Sequence, residues 1–223
     1  MRWGMVIDLR RCNGCGACVL ACKQENYRPP NVFRGRLLVG ETGVYPNTKK
    51  FAYPIQCNQC KEPICIENCP TGATYQREDG IVAVDPDKCT GCQQCILLCP
   101  YQQRMCNYGE QKEYYPGQGL TPLEELGAKL RSYPDGTVVK CDFCKDLIDA
   151  GLANGLKPGA DREATPACVN TCFCKARVFG DLDDPESEVS KLLAERGARV
   201  LHPEYATEPS VFYLDKPGKE AAK

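Results

Sequence analysis

Runs of apolar residues along this chain are short, and they mark out short elements only. Met5-Val6-Ile7-Asp8-Leu9 reads as a strand. Thr74-Tyr75-Gln76-Arg77, a turn at Asp79-Gly80 and Ile81-Val82-Ala83-Val84 read as a β-hairpin, which Asp85-Pro86 ends. Val138-Val139-Lys140, Arg177-Val178-Phe179 and Val211-Phe212-Tyr213-Leu214 give three further strands. Helical spacing is clear twice. Leu123, Leu126 and Leu130 predict one short helix, and Val189, Leu192 and Leu193 a second, with Asp184 as its N-cap and Pro185 at its first position. Residues 24–56, 101–136 and 145–166 are rich in Pro, Gly, Tyr or Asp and read as long loops, of the kind that serve an interface or cover a buried group. The longest apolar runs, such as Ile96-Leu97-Leu98, fall far below the ~18 residues a membrane span needs, so no span is expected.

Composition changes this picture. Of 223 residues, 18 are cysteine, about 8%, the level at which a chain stops resembling an ordinary soluble domain. Cysteine is counted within the 43% hydrophobic fraction, and without it only about 35% conventional core formers remain, thin filler for this length. Disulfides or metal are therefore expected to hold the fold. With 28 basic and 29 acidic residues the net charge is −1, which offers no basic field for nucleic acid. The single histidine, His202, sits in a polar C-terminal stretch and reads as a solvated surface residue. That excludes His-rich zinc sites, bis-His haem and most histidine acid-base catalysis. The absence of C-x-x-C-H excludes covalent c-type haem.

Sixteen of the cysteines fall into four groups. Group one is Cys12, Cys15, Cys18 and Cys22, and group two Cys57, Cys60, Cys65 and Cys69. Group three is Cys89, Cys92, Cys95 and Cys99, and group four is split into Cys141 and Cys144, then Cys168 and Cys172. Three thiolates at two-residue gaps can wrap one face of an iron-sulfur cube, with Gly14, Gly16 and Gly91 letting the backbone turn closely around it. The fourth cysteine of each group is expected to begin a helix pointing away; in bacterial two-cluster ferredoxins it ligates the other cluster. Four groups thus predict four 4Fe-4S clusters. A disulfide framework fits thiols three residues apart poorly. Zinc competes only at the split group four. Cys106 and Cys174 are left over, Cys106 reading most simply as a buried thiol, with a redox role as the lesser alternative.

The expected fold class is α+β: two bacterial-type two-cluster ferredoxin-like modules with long loop insertions. Groups two and three flank the hairpin and define a central module over 51–110. Groups one and four, which remain, build an outer module from 1–50 plus 137–185, with the strands at Met5, Val138 and Arg177. Residues 111–136 are an insertion, and 186–223 a C-terminal helix followed by an extended tail that wraps a neighbour or frays.

The four groups in this order, Gly4-Met5-Val6-Ile7-Asp8-Leu9 before Cys12, and Phe179-Gly180-Asp181-Leu182-Asp183-Asp184-Pro185 after Cys172 resemble the four-cluster iron-sulfur subunit of the DMSO reductase family of molybdopterin oxidoreductases. The likeness spans roughly residues 1–193. It is greatest to the small subunits of arsenate, polysulfide, thiosulfate and tetrathionate reductases and of phenol hydroxylases and dehydroxylases. The resemblance implies a crossed ligation: Cys12, Cys15 and Cys18 with Cys172; Cys141, Cys144 and Cys168 with Cys22; Cys57, Cys60 and Cys65 with Cys99; and Cys89, Cys92 and Cys95 with Cys69. Phe173 and Cys174 follow Cys172 where the family has proline, which leaves Cys174 as a substitute ligand, though the offset from Cys168 favours Cys172.

The implied function is non-catalytic: relaying single electrons between a large molybdopterin catalytic subunit and an outside donor or acceptor, either a membrane anchor or a soluble carrier. The competing reading is a polyferredoxin-type subunit of a hydrogenase or formate dehydrogenase. Lys61, Lys88, Lys140, Lys145 and Lys175, each near a ligand, either raise cluster potentials or are ordinary surface charge. The N-terminal run shows neither a secretory h-region nor a twin-arginine leader, so any export is expected to be with a signal-bearing partner, and the compartment stays open.

Overall fold

The computed structural model describes residues 1–109, 113–131 and 133–215, so the end of the expected tail, 216–223, lies outside the described residues. In chain order the elements are β1 (Trp3–Asp8), α1 (Ala17–Glu25), β2 (Gly35–Thr42), β3 (Lys49–Gln56), α2 (Ile64–Glu67), β4 (Thr74–Gln76), β5 (Val82–Val84), α3 (Gln94–Leu97), β6 (Arg104–Cys106), α4 (Pro122–Leu130), β7 (Val138–Lys140), α5 (Lys145–Ala153), α6 (Ala167–Asn170), β8 (Arg177–Asp181), α7 (Glu188–Arg196) and β9 (Val211–Leu214). The architecture is α+β, with short helices and small sheets.

Every residue of β1 is buried, because both faces of its sheet are covered. β8 pairs with it antiparallel, Val6 opposite Val178, and β9 parallel, Met5 opposite Val211. On one face Val6 packs with Val178, Val189 of α7 and Leu214. On the other, Trp3, Met5, Ile7 and Leu9 join Phe143, Ile148, Phe179 and Tyr213. Cys141 belongs to this second cluster and Cys57 and Cys168 pack against it, so the apolar core runs directly into the cysteine groups.

The β4–β5 hairpin forms at the expected place, Tyr75 opposite Ala83, with Gly80 at φ +81° in the turn. Several other elements differ from expectation. β7 does not join β1 and β8: it pairs antiparallel with β6, Arg104 opposite Lys140. Residues 35–56 form the hairpin β2–β3 rather than a loop. Its pattern is broken by Pro54 in β3 and by Gly40, across which the ring of Phe51 lies. Residues 145–153 are helical because Ile148 and Gly151 provide a narrow buried face, while Asp149 pairs with Arg77 of the hairpin turn. α4 starts at a capping box, Thr121 with Glu124. The leucines from which this helix is predicted, Leu123, Leu126 and Leu130, are exposed; it packs through Gly127 on Tyr27. α7 begins three residues later than predicted, since the Ser187 hydroxyl accepts from Ser190 N at 3.2 Å, whereas Asp184 caps a preceding turn.

The C-terminal stretch folds onto the rest of the molecule. Ser210 N donates to Asn58 O at 2.9 Å, Lys61 N to Glu208 O at 2.9 Å and Glu62 N to Thr207 O at 3.2 Å, which straps residues 207–210 over the group-two loop. From there the backbone enters β9. His202 is exposed and bonds Glu204 at 2.8 Å.

Phe143 is 1% exposed and meets Phe179 edge-on at 5.2 Å. Phe143→Ala is expected to cost about 3–5 kcal/mol in guanidinium unfolding of the iron-loaded protein. Phe173→Ala, at a residue 69% exposed, should leave the midpoint in place.

Candidate metal centres

Two cysteines three residues apart aim both sulfurs at one point only if the backbone turns back between them. In all four groups the residue before the second cysteine is left-handed: Gly14 at φ +74°, Gln59 at +47°, Gly91 at +68° and Phe143 at +54°. Glycine adopts this conformation freely; at Gly91 a Cβ would also collide with Gly136 O. Gln59 and Phe143 bear a conformational cost, which their side chains offset. Gln59 Nε2 donates to Cys141 O at 2.6 Å and its Oε1 accepts from Val82 N at 2.8 Å, while Phe143 fills the core. The residue one earlier stabilises two of the turns: Asn13 Oδ1 accepts from Cys15 N at 3.2 Å and Asp142 Oδ1 from Cys144 N at 3.1 Å.

A helix follows in each group, but it begins one residue before the third cysteine rather than at the fourth. α1, α2, α3 and α6 contain Cys18, Cys65, Cys95 and Cys168, and in groups two to four the fourth cysteine follows the helix end. Cys12, Cys15, Cys18 and Cys172 line one cavity, together with Cys174. Cys57, Cys60, Cys65 and Cys99 line another. Cys22 has Cys168 as a charge neighbour, and Cys141 and Cys144 have both Cys22 and Cys168. Cys95 faces Cys69 and Cys89. Cys15 and Cys92 are the exposed members; Cys95, Cys141 and Cys144 are buried.

Hydrogen bonds to sulfur repeat as well. Ala176 N donates to Cys172 Sγ at 3.2 Å, Gln103 N to Cys99 Sγ at 3.5 Å and Thr74 N to Cys69 Sγ at 3.4 Å. At Cys22 the side chain of Asn26 takes this part, Nδ2 at 3.7 Å. Val138 N adds a bond to Cys89 Sγ at 3.4 Å. Burial, then repulsion from neighbouring sulfurs, pushes the thiols of Cys22 and Cys60 up to about 12. Cysteines so placed become thiolates only against a strong local positive charge, which bound iron supplies.

The surroundings fit an anionic group. Arg28 is buried over the Tyr133 ring, its Cζ 3.1 Å from the centroid, and none of its guanidinium nitrogens meets an acceptor among the described residues. Burial first, then Arg34, lowers it to about 9, and Cys22 is among the groups that favour its charge. Arg34 Nη1 bonds Asp142 Oδ1 at 2.6 Å and Asn26 Oδ1 at 2.7 Å. Asn58, lining the second cavity, has both side-chain polar atoms without a partner among the described residues.

Of the five lysines expected near ligands, only Lys140 is buried, its Nζ donating to Cys141 O at 2.7 Å and to Val82 O. Lys61 pairs with Glu208, Lys88 with Asp85 and Lys145 with Asp146, and Lys175 is exposed. The cations that touch sulfur are instead arginines, Arg104 and Arg177, which the lysine expectation leaves aside. Their shared position, five residues after Cys99 and Cys172, is the signal that the sequence offers for them. Cys106 is buried and donates to Gly136 O at 3.5 Å.

A family model described as a 4Fe-4S dicluster domain matches residues 48–114, and one described as a 4Fe-4S binding domain matches residues 3–24. The sequence is 40% identical to the B subunit of selenate reductase of Mesobacillus selenatarsenatis, over 96% of its own length and 72% of that protein's. It is 35% identical to the iron-sulfur subunit of arsenate respiratory reductase of a Shewanella species over the whole of both proteins. To the B chain of polysulfide reductase of Wolinella succinogenes it is 36% identical, over 96% of this protein and 94% of the other.

Arg34→Met leaves Asp142 buried opposite nothing of equal geometry and should cost about 3–5 kcal/mol in guanidinium unfolding. Adding Asp142→Asn to that variant should recover part of the loss.

Proposed function

This chain belongs to the family of iron-sulfur subunits of multisubunit reductases, and from that premise we propose how it carries electrons. It is a 4Fe-4S electron-transfer subunit. We assign it four clusters: site I on Cys12, Cys15, Cys18 and Cys172; site II on Cys22, Cys141, Cys144 and Cys168; site III on Cys57, Cys60, Cys65 and Cys99; site IV on Cys69, Cys89, Cys92 and Cys95. Sites I and II belong to an outer module of residues 1–50 and 137–185, and III and IV to a central module of residues 51–110. The observation that carries this reading is that a fourth cysteine lines the cavity of another group's first three, Cys172 in one case and Cys99 in the other.

The sites follow one another as I, II, III, IV. Supporting this order, Cys18 is a charge neighbour of Cys168, Cys57 of Cys141, and Arg104 of both Cys65 and Cys95. Gln59 and Lys140 both bond Cys141 O and so fix the junction between sites II and III. Each cluster accepts and releases one electron. The protein's part is to hold the sulfurs, donate N–H groups to them and exclude water. The exposed Cys15 and Cys92 mark the two ends, where partners exchange electrons with the relay.

One partner is the catalytic subunit of the complex. Following the likeness to the DMSO reductase family, it bears molybdopterin; the other is a membrane anchor or a soluble carrier. Copurification with a large polypeptide containing molybdenum or tungsten is expected, and nickel in that polypeptide would point to a hydrogenase instead. The ligand sets are tested by EPR of single Cys→Ser variants. Cys22→Ser and Cys144→Ser should alter the same signal, and Cys172→Ser that of Cys12→Ser. If Cys22→Ser instead altered the signal of Cys12→Ser, the crossing would be refuted.

A further inference from the structure

Arg177 and Arg104 occupy equivalent places in the two halves of the molecule. Each stands five residues after a fourth-position cysteine and opens the following strand, β8 or β6. Both are buried, 7% and 4% exposed. Arg177 Nη1 lies 3.6 Å from Cys168 Sγ and 3.2 Å from Met5 Sδ, and Nη2 donates to Gln56 Oε1 at 3.1 Å. The same side chain borders the cavity of Cys12, Cys15, Cys18 and Cys172. Arg104 Nη2 lies 2.9 Å from Cys65 Sγ, Nη1 donates to Thr74 Oγ1 at 3.2 Å, and Cys95 is a charge neighbour of the guanidinium. In the other two groups the position is Tyr27 or Thr74, so each half holds one such guanidinium.

Burying a guanidinium requires a compensating anion, and the groups that favour the charge of these two arginines are led by cysteine sulfurs. For Arg177 these are Cys168 and Cys18; for Arg104 they are Cys65, Cys57 and Cys95. Each cation therefore stands between the third cysteines of two successive sites. Reducing a cluster adds one negative charge without a proton, and a fixed cation beside it in a low-dielectric interior favours the reduced form. A cation placed between two clusters acts on both.

We infer that Arg177 and Arg104 are positioning residues for electron transfer, each a fixed charge shared by two clusters: Arg177 by sites I and II, Arg104 by sites III and IV. Each sets the potentials of its pair together, so the two modules are tuned independently. The inference rests on the four-site assignment above, which the cysteine variants test separately.

The experiment is an EPR-monitored redox titration of the complex carrying Arg177→Met, Arg177→Lys or Arg104→Met, with signals assigned beforehand from Cys12→Ser and Cys22→Ser. In Arg177→Met the signals of sites I and II should both become harder to reduce, by tenfold or more in the equilibrium constant, about 59 mV per tenfold for one electron. Sites III and IV should hold, and Arg104→Met should show the reverse. Arg177→Lys, which keeps the charge, should stay near the parent values. Iron and sulfide content reports whether each variant keeps its clusters. If Arg177→Met loses iron, the decision passes to Arg104→Met and Arg177→Lys. Unmoved midpoints in a variant with full iron, a shift confined to one site, or a lysine variant as displaced as the methionine one would each overturn the inference.

Discussion

A pair of cysteines separated by two residues can serve one cluster only if the backbone reverses sharply between them, and that constraint organises the whole molecule. It is met four times by a left-handed residue before the second cysteine. Glycine meets it at no conformational cost in groups one and three. In groups two and four the position is used for something further: Gln59 bonds across to Cys141, and Phe143 enters the core beneath β1. At Gln59 the strained turn thus also joins the two halves of the molecule, and at Phe143 it anchors the apolar core. A short helix then holds the third cysteine of each group, and the proposed crossing sends the fourth to a neighbouring group, as the cavities that Cys172 and Cys99 line support.

The interior is unusually polar for a protein with so little conventional filler. Buried arginines line the cysteine groups, and the chief carboxylate among them, Asp142, is held by Arg34. Such an arrangement is unfavourable around empty space and favourable around anionic clusters. The apolar residues are arranged accordingly: β1, built from the first residues, is enclosed by β8 and β9 from the far end of the sequence, and this one sheet closes the outer cysteine groups between them. The strap at residues 207–210 does the same for the group-two loop.

Much of this was legible in the sequence. Cysteine spacing alone pointed to 4Fe-4S chemistry, and the apolar run of β1 and the hairpin at Asp79-Gly80 were plain, because these elements are fixed by local pattern. What was illegible depended on contacts far apart in sequence. β7 pairs with β6 instead of β1 because its three residues carry no information about their partner. β2 and β3 were hidden by Pro54 and Gly40, and the leucines of α4 point outward although their spacing implied a buried face. The buried arginines were illegible because a charged residue in a strand reads as surface. Only the position of the sulfurs shows that Arg104 and Arg177 are interior.

Clusters take the place of a side-chain core, so that iron and fold are lost together. The most direct measurement is anaerobic iron chelation of the purified protein, followed by far-ultraviolet circular dichroism and thermal melting. Loss of the visible iron-sulfur absorption should coincide with loss of the folded spectrum and of any cooperative melt. An iron-free protein that keeps its native dichroism and still melts cooperatively would contradict the account.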